Sequence, residues 1–219
     1  MAEWEVRRIR GEAADVHHRD LEPTVGRSIT IVDVSSPAIV LGSTQPESDV
    51  DLALATRLGV EVVRRRSGGG AVLLDPRGAW WIDVEIGRDD PLWRDDIGTS
   101  SLWLGRAWVD ALDAVGVGGA VVHDGPMRSS PLATVVCFAG LAPGEVSIDG
   151  EKVVGISQRR TRAGARFQCS VPRRWDAERI TGLLRPGLER AGVTDLRSDV
   201  AVRSVDDEAL ADAFLDALR

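Results

Sequence analysis

Hydrophobic positions fall into short β-branched blocks through the middle of the chain, with helical spacings between and after them. Residues 1–26 are polar and mixed, and Glu12–Leu21 reads as a short helix carrying His17 and His18 on a solvated turn. Ser28–Val34 and Ala38–Leu41 read as partner strands across the Ser35-Ser36-Pro37 turn. Val50, Leu54 and Leu58 predict a helix over Asp49–Leu58, stopped by Gly59. Glu61–Arg65, Ala71–Asp75 and Trp80–Ile86 read as strands. Leu104, Trp108, Ala111 and Val115 share one helical face, with Thr99, Ser100 or Ser101 as the N-cap. Gly118–Val122, Thr134–Phe138, Glu145–Ile148, Val153–Ser157 and Ala165–Val171 read as further strands, and Asp149-Gly150 as a turn. Trp175–Leu184 and Asp206–Leu218 read as helices. Strands outnumber helices without regular β-α-β alternation, so the fold class is α+β.

One stretch breaks this pattern. In Arg64-Arg65-Arg66-Ser67-Gly68-Gly69-Gly70-Ala71-Val72, three glycines interrupt two strand-like blocks. A strand does not favour glycine, which has no side chain to pack and costs backbone entropy. Bare amides beside guanidinium groups and a serine suit a phosphate or carboxylate. A tight hairpin with a solvated arginine cluster is the plainer alternative. The stretch is not a Walker loop, because no Gly-Lys-Ser/Thr follows, nor a dinucleotide fingerprint.

Composition sharpens a second stretch, Asp149 to Gln158. Lys152 is the only lysine among 27 basic residues, and the chain has no tyrosine or asparagine. These residue types share AT-rich codons, so a GC-rich coding sequence depletes all three. A lysine that survives this bias points to a need for a compact charge that arginine's planar fork does not supply, with chance survival on a surface turn as the plainer alternative.

Together the two stretches resemble the catalytic domain of the lipoate–protein ligase and octanoyltransferase family. The hallmarks are R-R-x-S-G-G-G-A-V and, some eighty residues later, G-x-K-x-x-G-x-x-Q. Arg64–Val72 and Gly150–Gln158 match both, and the resemblance spans roughly residues 25–175. It implies a mixed, largely antiparallel sheet with flanking helices, as in biotin ligases, built as a single catalytic domain over 1–219. It also implies acyl transfer to a specific lysine of a lipoyl acceptor domain or a glycine-cleavage H-type protein.

As a ligase, the protein would activate lipoate or octanoate with ATP and magnesium. Arg65, Ser67 and Gly68–Gly70 would then hold the adenylate, and Lys152 would touch the carboxyl and phosphate oxygens. Gly155, Ser157 and Gln158 would complete the site. Three features depart from the ligases. Leu74-Asp75 stands where many have His-Asp, so Asp75 keeps its place and its neighbour's polar contact is lost. Gly144-Glu145 stands in place of Asn-Asp. Too little chain follows Val171 for a substantial accessory domain, so ATP-dependent activation would be impaired or call on a partner.

Cys137 supports a different route. One octanoyltransferase branch carries its nucleophile in a similar Cys-Phe segment at similar spacing from the lysine. It would take octanoyl from acyl carrier protein as a thioester, without ATP, with the Lys152 ammonium as thiolate counter-ion. A cysteine in an apolar strand is otherwise a small buried hydrophobe, and that reading serves for Cys137 and Cys169 alike. A non-catalytic acyl- or nucleotide-binding relative is a third reading. A biotin ligase is less compatible, since that family favours a Gly-Arg-Gly loop.

The remaining composition excludes more than it adds. The chain has 219 residues, 43% hydrophobic and 28% charged, ordinary for a soluble globular protein. A net charge of −7 argues against general nucleic-acid or membrane binding. The charged start and the lack of a long apolar run predict no leader and no span. Two cysteines make no disulfide framework, which predicts a cytoplasmic protein. Cysteines and histidines lack ligand spacing, so no metal site is predicted. Arg159, Arg160, Arg162, Arg166, Arg173 and Arg174 form a local basic group. It is read as a solvated strand face or a dock for an acidic acceptor domain.

Overall fold

The computed structural model describes residues 3–21, 26–188, 192–196 and 202–219. Met1 and Ala2 of the charged start lie outside them. The strands are β1 (Trp4–Gly11), β2 (Arg27–Val34), β3 (Ala38–Leu41), β4 (Glu61–Arg64), β5 (Val72–Leu74), β6 (Ala79–Gly87), β7 (Ala120–Val122), β8 (Val146–Ile148), β9 (Glu151–Arg160) and β10 (Gly164–Pro172). The α-helices are α1 (Ala13–His18), α2 (Leu52–Arg57), α3 (Leu102–Ala114), α4 (Pro131–Val135), α5 (Ala177–Leu183) and α6 (Asp207–Ala217). Seven strands form one sheet in the order β1-β2-β6-β10-β9-β8-β7, antiparallel except for the β1/β2 pair. A smaller sheet has the order β4-β3-β5. The architecture is the mixed, mostly antiparallel α+β arrangement expected. Among the described residues, no helix is long and apolar enough to cross a membrane.

The period of two decides how the large sheet is used. On β10, Ala165, Phe167, Cys169 and Val171 turn to one apolar core. On β6, Ile82, Val84 and Ile86 join them. α3 and α6 cover this face, with Trp108 stacked on Phe214 at 4.1 Å between ring centroids. Full burial of two such aromatic side chains contributes several kcal/mol, on the order of 1.5–3 each. The intervening positions Trp81, Asp83 and Glu85 pair with Ser170, Gln168 and Arg166 on the opposite face. That face looks toward the glycine loop and α1.

Several expectations are corrected. β3 does not pair with β2; it is the centre of the small sheet, parallel to β4 and antiparallel to β5. All four of its residues are buried, which suits a central strand covered on both faces. β1 is an additional strand, missed because its arginine- and glutamate-rich sequence is that of an exposed edge. The Asp49–Leu58 helix begins only at Leu52, where Asp51 caps the Leu54 amide at 2.9 Å. Ser101 sits at the N-cap of α3, but its hydroxyl donates to the Pro143 carbonyl instead of capping.

Thr134–Phe138 is not a strand. Ser130 caps the Ala133 amide and Pro131 opens α4, a strong helix start that the β-branched residues concealed. The chain then turns through a 3-10 segment, Cys137–Ala139.

Candidate active site

The glycine loop positions Cys137 through its backbone. The Ala71 amide donates to the Val135 carbonyl at 2.8 Å, and the Cys137 amide donates to the Ala71 carbonyl at 3.0 Å. Gly70 permits this approach, because a Cβ there would run into the Val135–Val136 backbone. Gly69 has φ +98°, and a Cβ there would lie 3.0 Å from the Arg65 guanidinium and 3.6 Å from the Cys137 sulfur. Among the described residues, the amides of Gly68, Gly69 and Gly70 donate to no protein acceptor.

Arg65 is buried and donates to the Val40, Gly68 and Gly70 carbonyls at 2.8–3.2 Å. It therefore braces the loop while its charge lines the cavity. Arg64 is bound likewise to the Gly42 and Gln45 carbonyls.

Lys152 stands inside β9, which starts earlier than predicted. A bulge sets Ser147 opposite Lys152 and Val146 opposite Val154, re-aiming the strand beside the site. The Lys152 ammonium is 3.0 Å from both Glu145 oxygens, 3.0 Å from the Cys137 carbonyl and 3.7 Å from the Cys137 sulfur. It also lies over the Phe138 ring at 5.0 Å. Burial would lower its pKa, but the neighbouring Cys137 sulfur and the Glu145 carboxylate outweigh this and raise it, so Lys152 is held as a cation. Glu145 also accepts from the Ala142 and Ile156 amides, which fix its carboxylate. The sequence marked Glu145 only as a departure from a motif. Its spacing of seven residues from the sole lysine was the available signal.

These groups line one cavity of about 400 Å³, within the usual range for small-ligand sites. Ser67, Gly68, Gly69, Gly155, Ser157 and Gln158 line it as well. Gln158 is tied down by Ser100 at 2.7 Å and the Ile97 carbonyl at 3.0 Å. Among the described residues, the buried Ser67 hydroxyl has no protein partner, nor have Ser170 Oγ and His17 Nδ1 on the same cavity. Asp75 is not brought there. It lines a neighbouring cavity, paired with Arg179 at 2.6 Å. Burial opposes ionisation of Asp75, but the Arg77 amide and Arg179 together hold its carboxyl below the usual range.

His17 was missed. It does not sit on a solvated turn but packs on Trp81 at 4.3 Å and lines the cavity. Burial, then the Arg65 charge, push its pKa down to about 3, so it is neutral. The basic group is also split. Arg166 is 1% exposed, pairs with Glu85 at 2.7 Å, and donates to the Arg19 and Asp20 carbonyls at 2.8 Å. These bonds anchor the segment after α1 and so hold His17 over Trp81.

The sequence profile of the lipoyl protein ligase A/B catalytic domain matches residues 16–219. The octanoyltransferase LipM of Clostridioides difficile is 27% identical over 139 residues, 64% of this chain and 51% of its own. The chain thus spans about half the length of the curated relatives it matches. Among solved structures, protein Ta0514 of T. acidophilum with bound lipoic acid superposes with a TM-score of 0.74 at 17% identity, over 98% of this chain and 84% of that one. A lipoate-protein ligase A bound with ATP superposes with the same TM-score at 16% identity, over 99% and 84%. The chain belongs to the lipoyl protein ligase A/B catalytic domain family.

Proposed function

We propose that this chain is one catalytic domain that transfers an octanoyl group through Cys137 to a lysine of a lipoyl acceptor domain. The observation that carries this is the Cys137 sulfur, 3.7 Å from a buried, carboxylate-held ammonium on a largely apolar cavity. Thiolate attack on the carbonyl of an octanoyl carrier thioester forms the bond to Cys137 and breaks the one to the carrier sulfur. The carrier thiolate leaves and takes up a proton. The Gly69 amide and the Lys152 ammonium, both on the cavity with Cys137, would donate to the tetrahedral oxyanion. The acceptor lysine's neutral amine then attacks the new thioester, the bond to the Cys137 sulfur breaks to give the thiolate, and the amine's proton passes to solvent. Similarity to LipM supports this reading.

ATP-dependent ligation is the second reading, favoured by the unused amides of Gly68–Gly70 beside Arg65. In that route ATP and magnesium are co-substrates, and Lys152 and Arg65 face the adenylate. Two reactions separate the readings, both scored by intact mass of a lipoyl acceptor domain. One holds octanoyl acyl carrier protein without ATP, the other lipoate with ATP and magnesium. Acceptor octanoylation in the first, lost in Cys137→Ser, is expected. Modification only in the second, retained in Cys137→Ser, contradicts the transferase reading.

A further inference from the structure

A second cavity of about 310 Å³ adjoins the first, sharing Val72, Phe138 and Ser170 in its wall. Phe138 is the residue after Cys137. At its other end the second cavity shares Arg77, Arg174 and Trp175 with a surface recess, which Arg173 and Arg203 complete. Among the described residues, four arginines and no carboxylate line this recess, in a chain of net charge −7. Arg173 is paired with Asp207 at 2.5 Å. Arg77 and Arg174 are exposed, and their guanidinium groups have no ion pair within 4 Å among the described residues. Two carboxylates line the second cavity: Asp75 is taken by the Arg179 guanidinium, and Asp176 accepts from the Arg179 amide. At the junction of the two cavities the buried Ser170 hydroxyl has no protein partner among the described residues.

A carrier thioester has two halves. If the acyl chain fills the first cavity, the thiol half must leave Cys137 by another passage. A phosphopantetheinyl arm has amides that would use the Ser170 hydroxyl, and it ends in a phosphate that suits unpaired arginines. We propose that the second cavity and its arginine recess receive the phosphopantetheinyl arm of the acyl donor, with the phosphate at Arg77 and Arg174. This deepens the transferase reading and rests on it.

The test titrates the full chain with 4′-phosphopantetheine and with pantetheine, which differ only by the phosphate, using calorimetry. The phosphorylated ligand is expected to bind at least tenfold more tightly, and the double variant Arg77→Gln/Arg174→Gln to erase that preference. The variant is likewise expected to lower kcat/KM for octanoylation by octanoyl-4′-phosphopantetheine at least tenfold, leaving octanoyl-pantetheine unchanged. Equal binding of the two ligands, or a preference that survives in the variant, overturns the assignment. So does ATP binding more tightly than phosphopantetheine and being lost in the same variant, which gives the recess to a nucleotide. If the phosphate preference appears and is lost as expected while neither thioester acylates Cys137, the recess assignment stands and the transferase reading falls.

Discussion

Cys137 and Cys169 border the same cavity, yet their surroundings make them different chemical groups. Cys169 lies in the middle of β10, 1% exposed, with its side chain in the α3/α6 core. Burial pushes its thiol up to about 12, with the nearby Asp83 adding to the shift against a Trp108 contact. Cys137 lies on a 3-10 turn, half-buried, with a cation 3.7 Å from its sulfur. The contrast teaches that an apolar sequence around a cysteine does not settle its role. What decides is whether the backbone leaves the regular sheet and whether a fixed positive charge waits beside the sulfur.

The sharpest way to break this comparison is to exchange the two thiols for hydroxyls in turn. Cys137→Ser is expected to lower octanoyl transfer by at least about a thousandfold, as loss of a nucleophile does, whereas Cys169→Ser keeps it within a few-fold. Equal losses in both variants, measured by acceptor mass, remove the distinction.

Lys152 carries the next largest effect. Lys152→Ala leaves Glu145 buried without its partner and is expected to cost about 3–5 kcal/mol in denaturant unfolding, with transfer lost. Glu145→Ala added to it should recover part of that stability but none of the activity. Lys152→Arg is expected to lose activity too, because the planar fork does not fit a site built for a compact ammonium. Full activity in Lys152→Arg would remove the argument from the sole lysine.

Gly70→Ala acts on one cysteine only. It forces the loop off the Val135–Val136 backbone and displaces the Cys137 turn, leaving β10 untouched. A displacement of about 1 Å costs on the order of 100-fold in rate, and single-turnover acylation should show it.

The smallest effect concerns pH. His17 has a folded pKa depressed to about 3 from its ordinary 6.5, so its neutral form gives stability present above pH 6.5 and lost as pH falls toward 3. Asp83 opposes it. Burial lifts its carboxyl to about 6 despite the Trp81 donor and two arginines, so its contribution is present below the ordinary value of 3.8 and lost as pH rises through 6. Replacing His17 by Asn isolates the first effect. Between pH 7 and 5 the unsubstituted chain should lose about 2 kcal/mol relative to His17→Asn in parallel urea titrations. Parallel stability curves would show that His17 titrates freely.

The sequence made some of this visible and hid the rest for physical reasons. Alternation announced β6, and helical spacing announced α3, because both elements bury one face against a core. The glycine loop and the sole lysine were legible as departures from packing and composition. The β3 partnership was not, because the choice of neighbouring sheet depends on contacts far along the chain. α4 was concealed by β-branched residues whose propensity yielded to the Ser130-Pro131 start. His17 and Arg166 resembled surface residues, and only tertiary structure buries them under each other's anchoring. Glu145 needed the β8–β9 bulge to become Lys152's partner.

The central claim is that Cys137, and not Cys169, takes the acyl group. The measurement is peptide-resolved mass spectrometry after a brief pulse of octanoyl acyl carrier protein without ATP, quenched in acid. Octanoyl is expected on the Cys137 peptide alone, disappearing when a lipoyl acceptor domain is added as the acceptor gains the same mass. An unmodified Cys137 in a protein that still modifies the acceptor, with or without ATP, would contradict it.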